Sequence, residues 1–165
     1  MMPLSLRAYI RTQGISAAII NAVLNPALAW LGNRKMEFVP LTGGHSIIID
    51  TAVTAVLLSL LVALFVTAGF HRDLGAGRVT AANVVGRQGR LLGRLPHHAW
   101  ALGLLLGFGI AFVLIPLLLG LFRVTGMHGL SFVAFALFKA VYTGLLGFVV
   151  TRWVIVRQWL LVPQA

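Results

Sequence analysis

Four long apolar stretches, separated by shorter polar segments, dominate the chain. They cover residues 14–31, 46–69, 99–122 and 130–151. A helix needs about 20 residues, at 1.5 Å each, to cross the hydrocarbon core of a bilayer. Open strands cannot cross it, because each unpaired backbone group costs several kcal/mol there. The pattern therefore predicts an all-α integral membrane protein, a four-transmembrane-helix bundle that forms a single domain over residues 1–165.

The composition agrees with a membrane location. The chain is 59% hydrophobic and 10% charged, whereas soluble domains are roughly half apolar and about a quarter charged. It contains no cysteine, which excludes disulfides, thiol catalysis and Cys-ligated metal. The formal net charge of +10 could indicate nucleic-acid binding. The bases flank apolar segments, however, and form no stripe on a soluble face, so we expect no nucleic-acid partner.

The distribution of the bases predicts the orientation, because cytoplasmic loops retain an excess of Lys and Arg. Nine bases fall in the two termini and the loop 71–98, namely Arg7, Arg11, Arg72, Arg78, Arg87, Arg90, Arg94, Arg152 and Arg157. Three fall on the other side, namely Arg34, Lys35 and Arg123. We therefore expect a multi-pass protein of the plasma membrane, or of the inner membrane in a bacterium, with both termini cytoplasmic. Trp30, Trp100, Trp153 and Trp159 lie near the stretch ends, where amphipathic rings suit headgroup depth.

Two features leave alternatives open. Asn21 and Pro26 interrupt the first stretch, and Ala27-Leu28-Ala29 resembles a signal-peptide cleavage site. A signal peptide normally has a purely apolar centre, so we expect this stretch to remain as a span. The two halves also share a proline followed by an intramembrane ionisable residue, which would make a duplication a parallel repeat. Ordinary hairpin composition explains the same features, and the offsets of the matched residues differ.

A charge inside the membrane is the main candidate for function. Lys139 lies near the middle of the fourth stretch, where a charged side chain costs about 2.5 to 3.5 kcal/mol on insertion scales. Small residues share its helical face, so it should point into the bundle. Asp50 is the expected partner, because the two residues differ in depth by roughly 7 Å at 1.5 Å per residue. Lysine side chains lean toward the helix N-terminus, which closes that gap.

Neighbouring polar residues extend this pair to an intramembrane polar or transport site. Asn21 and Asn25 share one face of the first helix at i and i+4, and Thr54 and Thr143 lie one turn from the two charges. The predicted site is Asn21, Asn25, Asp50, Thr54, Lys139 and Thr143. Intramembrane ionisable groups mark substrate, ion or proton pathways. The alternative is a structural role, in which the cluster fixes helix order and Asp50 caps its helix.

The loop bases add a second candidate contact. Gly-Arg occurs three times at Arg87, Arg90 and Arg94, and bases near a cytoplasmic leaflet attract anionic lipid headgroups by about 1 kcal/mol each. A plain topology signal explains them equally well. The loop lacks the ending of a phosphate-binding Walker motif.

Two function classes remain. Only Asp50 and Lys139 could serve as a buried acid or base of an intramembrane enzyme, and the sequence has no nucleophile elbow, no metal-ligand spacing and no cofactor motif. We therefore expect no enzyme, no metal and no cofactor. A permease-like or channel-like protein would use the polar cluster, as a homo-oligomer because four short helices enclose little volume. A non-catalytic accessory, scaffold or assembly subunit would instead contact another membrane protein through Gly103 and Gly107, a G-x-x-x-G pair.

Overall fold

Four helices form the computed structural model in the part it describes, residues 4–33, 36–80 and 95–162. They are α1 (Leu6–Asn33), α2 (Ile47–Gly75), α3 (Ala99–Thr125) and α4 (Phe132–Trp159). Each is long and apolar enough to cross a membrane. The 28 residues of α1 correspond to about 42 Å, more than the ~30 Å hydrocarbon core.

Three helices extend beyond the predicted spans at the same end of the bundle. The helix α1 begins at Leu6, α2 continues to Gly75 and α4 continues to Trp159. The Ser5 hydroxyl accepts a hydrogen bond from the Ala8 amide at 3.3 Å and so caps α1. The added turns carry apolar side chains that, together with Val79 of the segment after α2, form a buried cluster of Leu6, Tyr9, Phe70, Val79, Ile155 and Trp159. Polar residues thus end the apolar runs without ending the helices.

Within the described residues, four short strands, which the sequence pattern does not predict, mark the two ends of the bundle. The strand β1 (Leu4–Ser5) pairs in parallel with β3 (Val79–Thr80), beside the cluster that also contains Trp159. We call this the terminal end, because the first and last described residues, Leu4 and Val162, lie there. The strand β2 (Phe38–Pro40) pairs antiparallel with β4 (Gly129–Ser131). We call that the distal end.

The helices pack in a definite order, α1 against α4, α4 against α2, and α2 against α3. The G-x-x-x-G pair lies inside the chain, at the α2–α3 crossing. A Cβ on Gly103 would lie 2.8 Å from Leu60 Cα, and one on Gly107 would lie 2.7 Å from Val56 Cα. Glycine therefore permits the close approach of these helices. The pair is used within the molecule and is not the free contact face that an accessory subunit would present.

The packing order relates the first half of the chain (α1 and α2) to the second half (α3 and α4) by an approximate two-fold exchange. Exchanging α1 with α3 and α2 with α4 leaves the set of packed pairs unchanged. The paired strands β2 and β4 precede equivalent helices, and each helix is capped by a serine: Ser46 accepts from the Ile49 amide at 3.4 Å, and Ser131 from the Ala134 amide at 3.3 Å. This arrangement is compatible with a parallel repeat.

Candidate functional site

Asp50 and Lys139 lie in direct contact near the distal end. Lys139 Nζ donates a hydrogen bond to Asp50 Oδ1 at 2.6 Å. The Lys139 side chain is 6% exposed and that of Asp50 is 28% exposed, so the carboxylate is the more accessible member. The ammonium also lies 5.7 Å from the centroid of the Phe135 ring, a favourable cation–π distance. The pair connects α2 to α4.

The cap of α2 removes one alternative for Asp50. Ser46 is the N-cap residue, and its hydroxyl accepts from a first-turn amide. Asp50 lies four positions later, inside the helix, so it is not the cap. A carboxylate near a helix N-terminus still interacts favourably with the helix dipole.

Amide and hydroxyl groups attach α1 to this pair. The Thr143 hydroxyl is in hydrogen-bond contact with two carbonyls, those of Lys139 and Asn21, each at 2.8 Å. Asn21 Nδ2 donates to the Ala17 carbonyl at 2.8 Å, and Asn25 Nδ2 donates to the carbonyl and to Oδ1 of Asn21, both at 3.2 Å. The structure thus brings together the six residues that the sequence singled out, except that Thr54 makes no hydrogen bond to the others. Their function stays a prediction.

A groove between α1 and α2 gives this cluster access to the surroundings. It has a volume of about 670 Å³, and Asn21, Asn25, Asp50, Thr54 and Lys139 all line it. Thr143 is buried behind them. The groove exists because α1 and α2 both pack on α4 and make little direct contact with each other. The cluster therefore borders an open groove and is not sealed in a core.

A second, smaller depression lies between α3 and α4, the helix pair that corresponds to α1 and α2 in the packing order. Its volume is about 380 Å³, and its lining is apolar apart from Tyr142, whose hydroxyl donates to the Thr51 carbonyl at 3.0 Å. Phe135 lies four residues after the cap Ser131, and Asp50 lies four residues after the cap Ser46, so Phe135 is the counterpart of Asp50 in the second half. Asn21 and Asn25 lie five and one residues before Pro26. Ala111 and Ile115 lie at the same distances before Pro116 and are the counterparts of the two asparagines. The polar lining is specific to the α1–α2 groove.

The terminal end of the groove holds a polar cluster that the sequence analysis missed. The Tyr9 hydroxyl donates to Asp73 Oδ2 at 3.0 Å, and Arg78 Nη1 donates to Asp73 Oδ1 at 3.0 Å. Arg72 Nε lies 3.8 Å from the same oxygen. Asp73 is one of three acids in the chain, which is a signal in itself. Tyr9 is 64 positions away, and nothing in the local pattern pairs them.

Other predicted residues have mixed outcomes. Arg87, Arg90 and Arg94 lie outside the described residues. Arg157, counted only as a topology signal, is buried and donates through Nε and Nη2 to the Leu95 carbonyl at 3.0 and 2.8 Å.

Trp159 is 3% exposed and packs edge-on against Phe70. The ring therefore packs inside the bundle, because α4 continues past the predicted span to Trp159, and its position at headgroup depth stays a prediction.

Comparisons with protein families, with curated proteins and with solved structures find no match to this chain. Four apolar helices indicate a small multi-pass membrane protein.

Proposed function

We propose that this chain is a permease-like protein of the plasma membrane, not an enzyme, and that its solute site is the distal end of the α1–α2 groove. The observation that carries the proposal is the open position of the cluster, because five of its six residues line one groove. In this proposal the termini are cytoplasmic, following the distribution of the bases, and the distal end faces outward. Assembly into a homo-oligomer would add the volume that a pathway needs.

The two-fold relation supports a functional role over a purely structural one. The second half forms the same helix packing with Phe135, Ala111 and Ile115 in place of Asp50 and the two asparagines. The packing therefore does not require polar groups at these positions. An ionisable pair in the membrane is costly, and such pairs mark pathways.

The accessory alternative loses its proposed contact. The G-x-x-x-G pair that would bind a partner helix is occupied by α2 within the chain. We therefore favour the permease-like function. Contact of the loop bases with anionic headgroups is compatible with either function.

A thiol-accessibility experiment tests the proposal. The chain contains no cysteine, so an introduced cysteine is the sole thiol. A charged methanethiosulfonate reacts with thiolate, which forms where water reaches the sulfur. We expect Thr54→Cys, in reconstituted membranes, to be modified by this reagent.

Val141→Cys is the matched control. Val141 is 65% exposed and lines the apolar α3–α4 depression, so it should react with a membrane-permeant apolar maleimide and not with the charged reagent. If Thr54→Cys also reacts only with the apolar reagent, the cluster is dry and the proposed solute site is wrong.

A further inference from the structure

The distal end of the groove presents hydrogen-bond acceptors. Asp50 uses only Oδ1 for Lys139, and Asn25 uses only its Nδ2 group for Asn21. Among the described residues, Asp50 Oδ2 and Asn25 Oδ1 have no donor, and the Thr54 hydroxyl has no partner. All three residues line the groove. A ligand that enters here therefore meets oxygen atoms with unused lone pairs, which suit a donor group.

The charges at this end favour a cation over an anion. The more accessible charge is the Asp50 carboxylate, at 28%, whereas the Lys139 side chain is 6% exposed. An anion would meet the carboxylate before it reached the ammonium. A carboxylate has about four acceptor sites, so it can bind a second ammonium without releasing the first. Such hydrogen bonds between ionised groups are about twice as strong as neutral ones.

The middle of the groove is apolar, and its side chains are exposed at the side of the bundle. Leu24, Leu57, Leu61 and Phe65 line it and are exposed by 50%, 52%, 50% and 73%. Because α1 and α2 make little contact, a molecule dissolved in the membrane can enter sideways between them. The volume of about 670 Å³ lies within the range of pockets for drug-sized ligands, roughly 300 to 1,000 Å³.

We infer that the groove binds amphiphiles with an ammonium headgroup, the ammonium at Asp50, Asn25 and Thr54 and the hydrocarbon tail along Leu57, Leu61 and Phe65. This inference rests on the proposed solute site and names the substrate class. The α3–α4 depression offers a tail the same apolar lining but has no acidic group, so it provides no headgroup site.

Equilibrium dialysis tests the inference. The full chain in phosphatidylcholine nanodiscs is dialysed with radiolabelled dodecylammonium, and empty nanodiscs measure partition into lipid. We expect saturable binding above the empty discs. Unlabelled dodecylammonium should displace the label, whereas dodecyl sulfate, dodecanol and methylammonium at the same concentration should displace little.

Two variants connect binding to the groove. The neutral double variant Asp50→Asn/Lys139→Met should weaken binding at least about tenfold, because the headgroup loses its charged acceptor. Val141→Thr, in the other depression, should leave the affinity unchanged. Both variants are first checked for an intact thermal transition, and Thr54→Val provides a second, uncharged test with a smaller loss.

The outcomes separate this inference from the proposed function. If Thr54→Cys is reached by the charged reagent but dodecylammonium does not bind saturably, the solute site stands and the amphiphile class is wrong. Displacement by dodecyl sulfate would show that a cationic side chain of the groove, Lys139 or Arg72, can hold the headgroup, and it would overturn the cationic class. Displacement by methylammonium as effective as by dodecylammonium would show that the tail contributes nothing.

Discussion

Separating Asp50 from Lys139 should destabilise the protein asymmetrically. The Asp50→Asn variant leaves an ammonium that is 6% exposed, whereas Lys139→Met leaves a carboxylate that is 28% exposed and borders the groove. A buried charge without a partner is more costly than one that water can reach. We therefore expect Asp50→Asn to be the more damaging of the two single substitutions.

The burial of each group sets the magnitude. Removing one partner from a fully buried pair costs about 3 to 5 kcal/mol, and we expect Asp50→Asn to lie near the low end, about 3 kcal/mol, since the pair is not sealed. A hydrogen bond to a charged group contributes about 1.5 to 3 kcal/mol, and Lys139→Met should cost about 1.5 kcal/mol. The double variant should recover about 1 to 2 kcal/mol of the summed losses.

Reversible unfolding in mixed micelles measures these free energies for the wild type, both single variants and the double variant. Asp50→Asn combined with Gly109→Ala is the control, because nothing lies within 4 Å of a Cβ built on Gly109 and independent sites should add. Additive losses for the Asp50 and Lys139 substitutions would refute the coupling. A larger loss for Lys139→Met than for Asp50→Asn would refute the argument from burial.

Three further predictions concern packing, the terminal end and topology. Gly107→Ala should lower the free energy of unfolding by about 1 to 3 kcal/mol in the same assay, because its methyl group would overlap the α2 backbone. The control Gly109→Ala should have little effect, and equal effects of the two substitutions would contradict the close α2–α3 crossing. Tyr9→Phe should cost about 1 kcal/mol by removing the hydrogen bond to Asp73, and an unchanged stability would show that this contact is unimportant. A reporter that is active only in the cytoplasm should be active both at the C-terminus and in the loop after α2, and inactivity at either position would exclude the four-span, termini-inside topology.

The pairing of Asp50 with Lys139 could be predicted because an intramembrane charge needs a partner and helix rise fixes depth. Other features depend on information that local patterns lack. Charged residues end an apolar run but do not break backbone hydrogen bonds, so the apolar pattern predicts an end of α4 at residue 151, whereas the helix continues to Trp159. The groove forms because α1 and α2 make little contact with each other. Local sequence patterns do not specify which helices pack together. The contact of Tyr9 with Asp73 depends on the same packing.

The most direct test of the central claim is an experimental structure of the chain in lipid nanodiscs, at a resolution that shows ordered water. We predict that α1 and α2 remain apart, with water or other non-protein density beside the Asp50 carboxylate at the distal end of the groove. A structure in which α1 closes against α2 and leaves the Asp50–Lys139 pair dry and enclosed would contradict the proposed solute site.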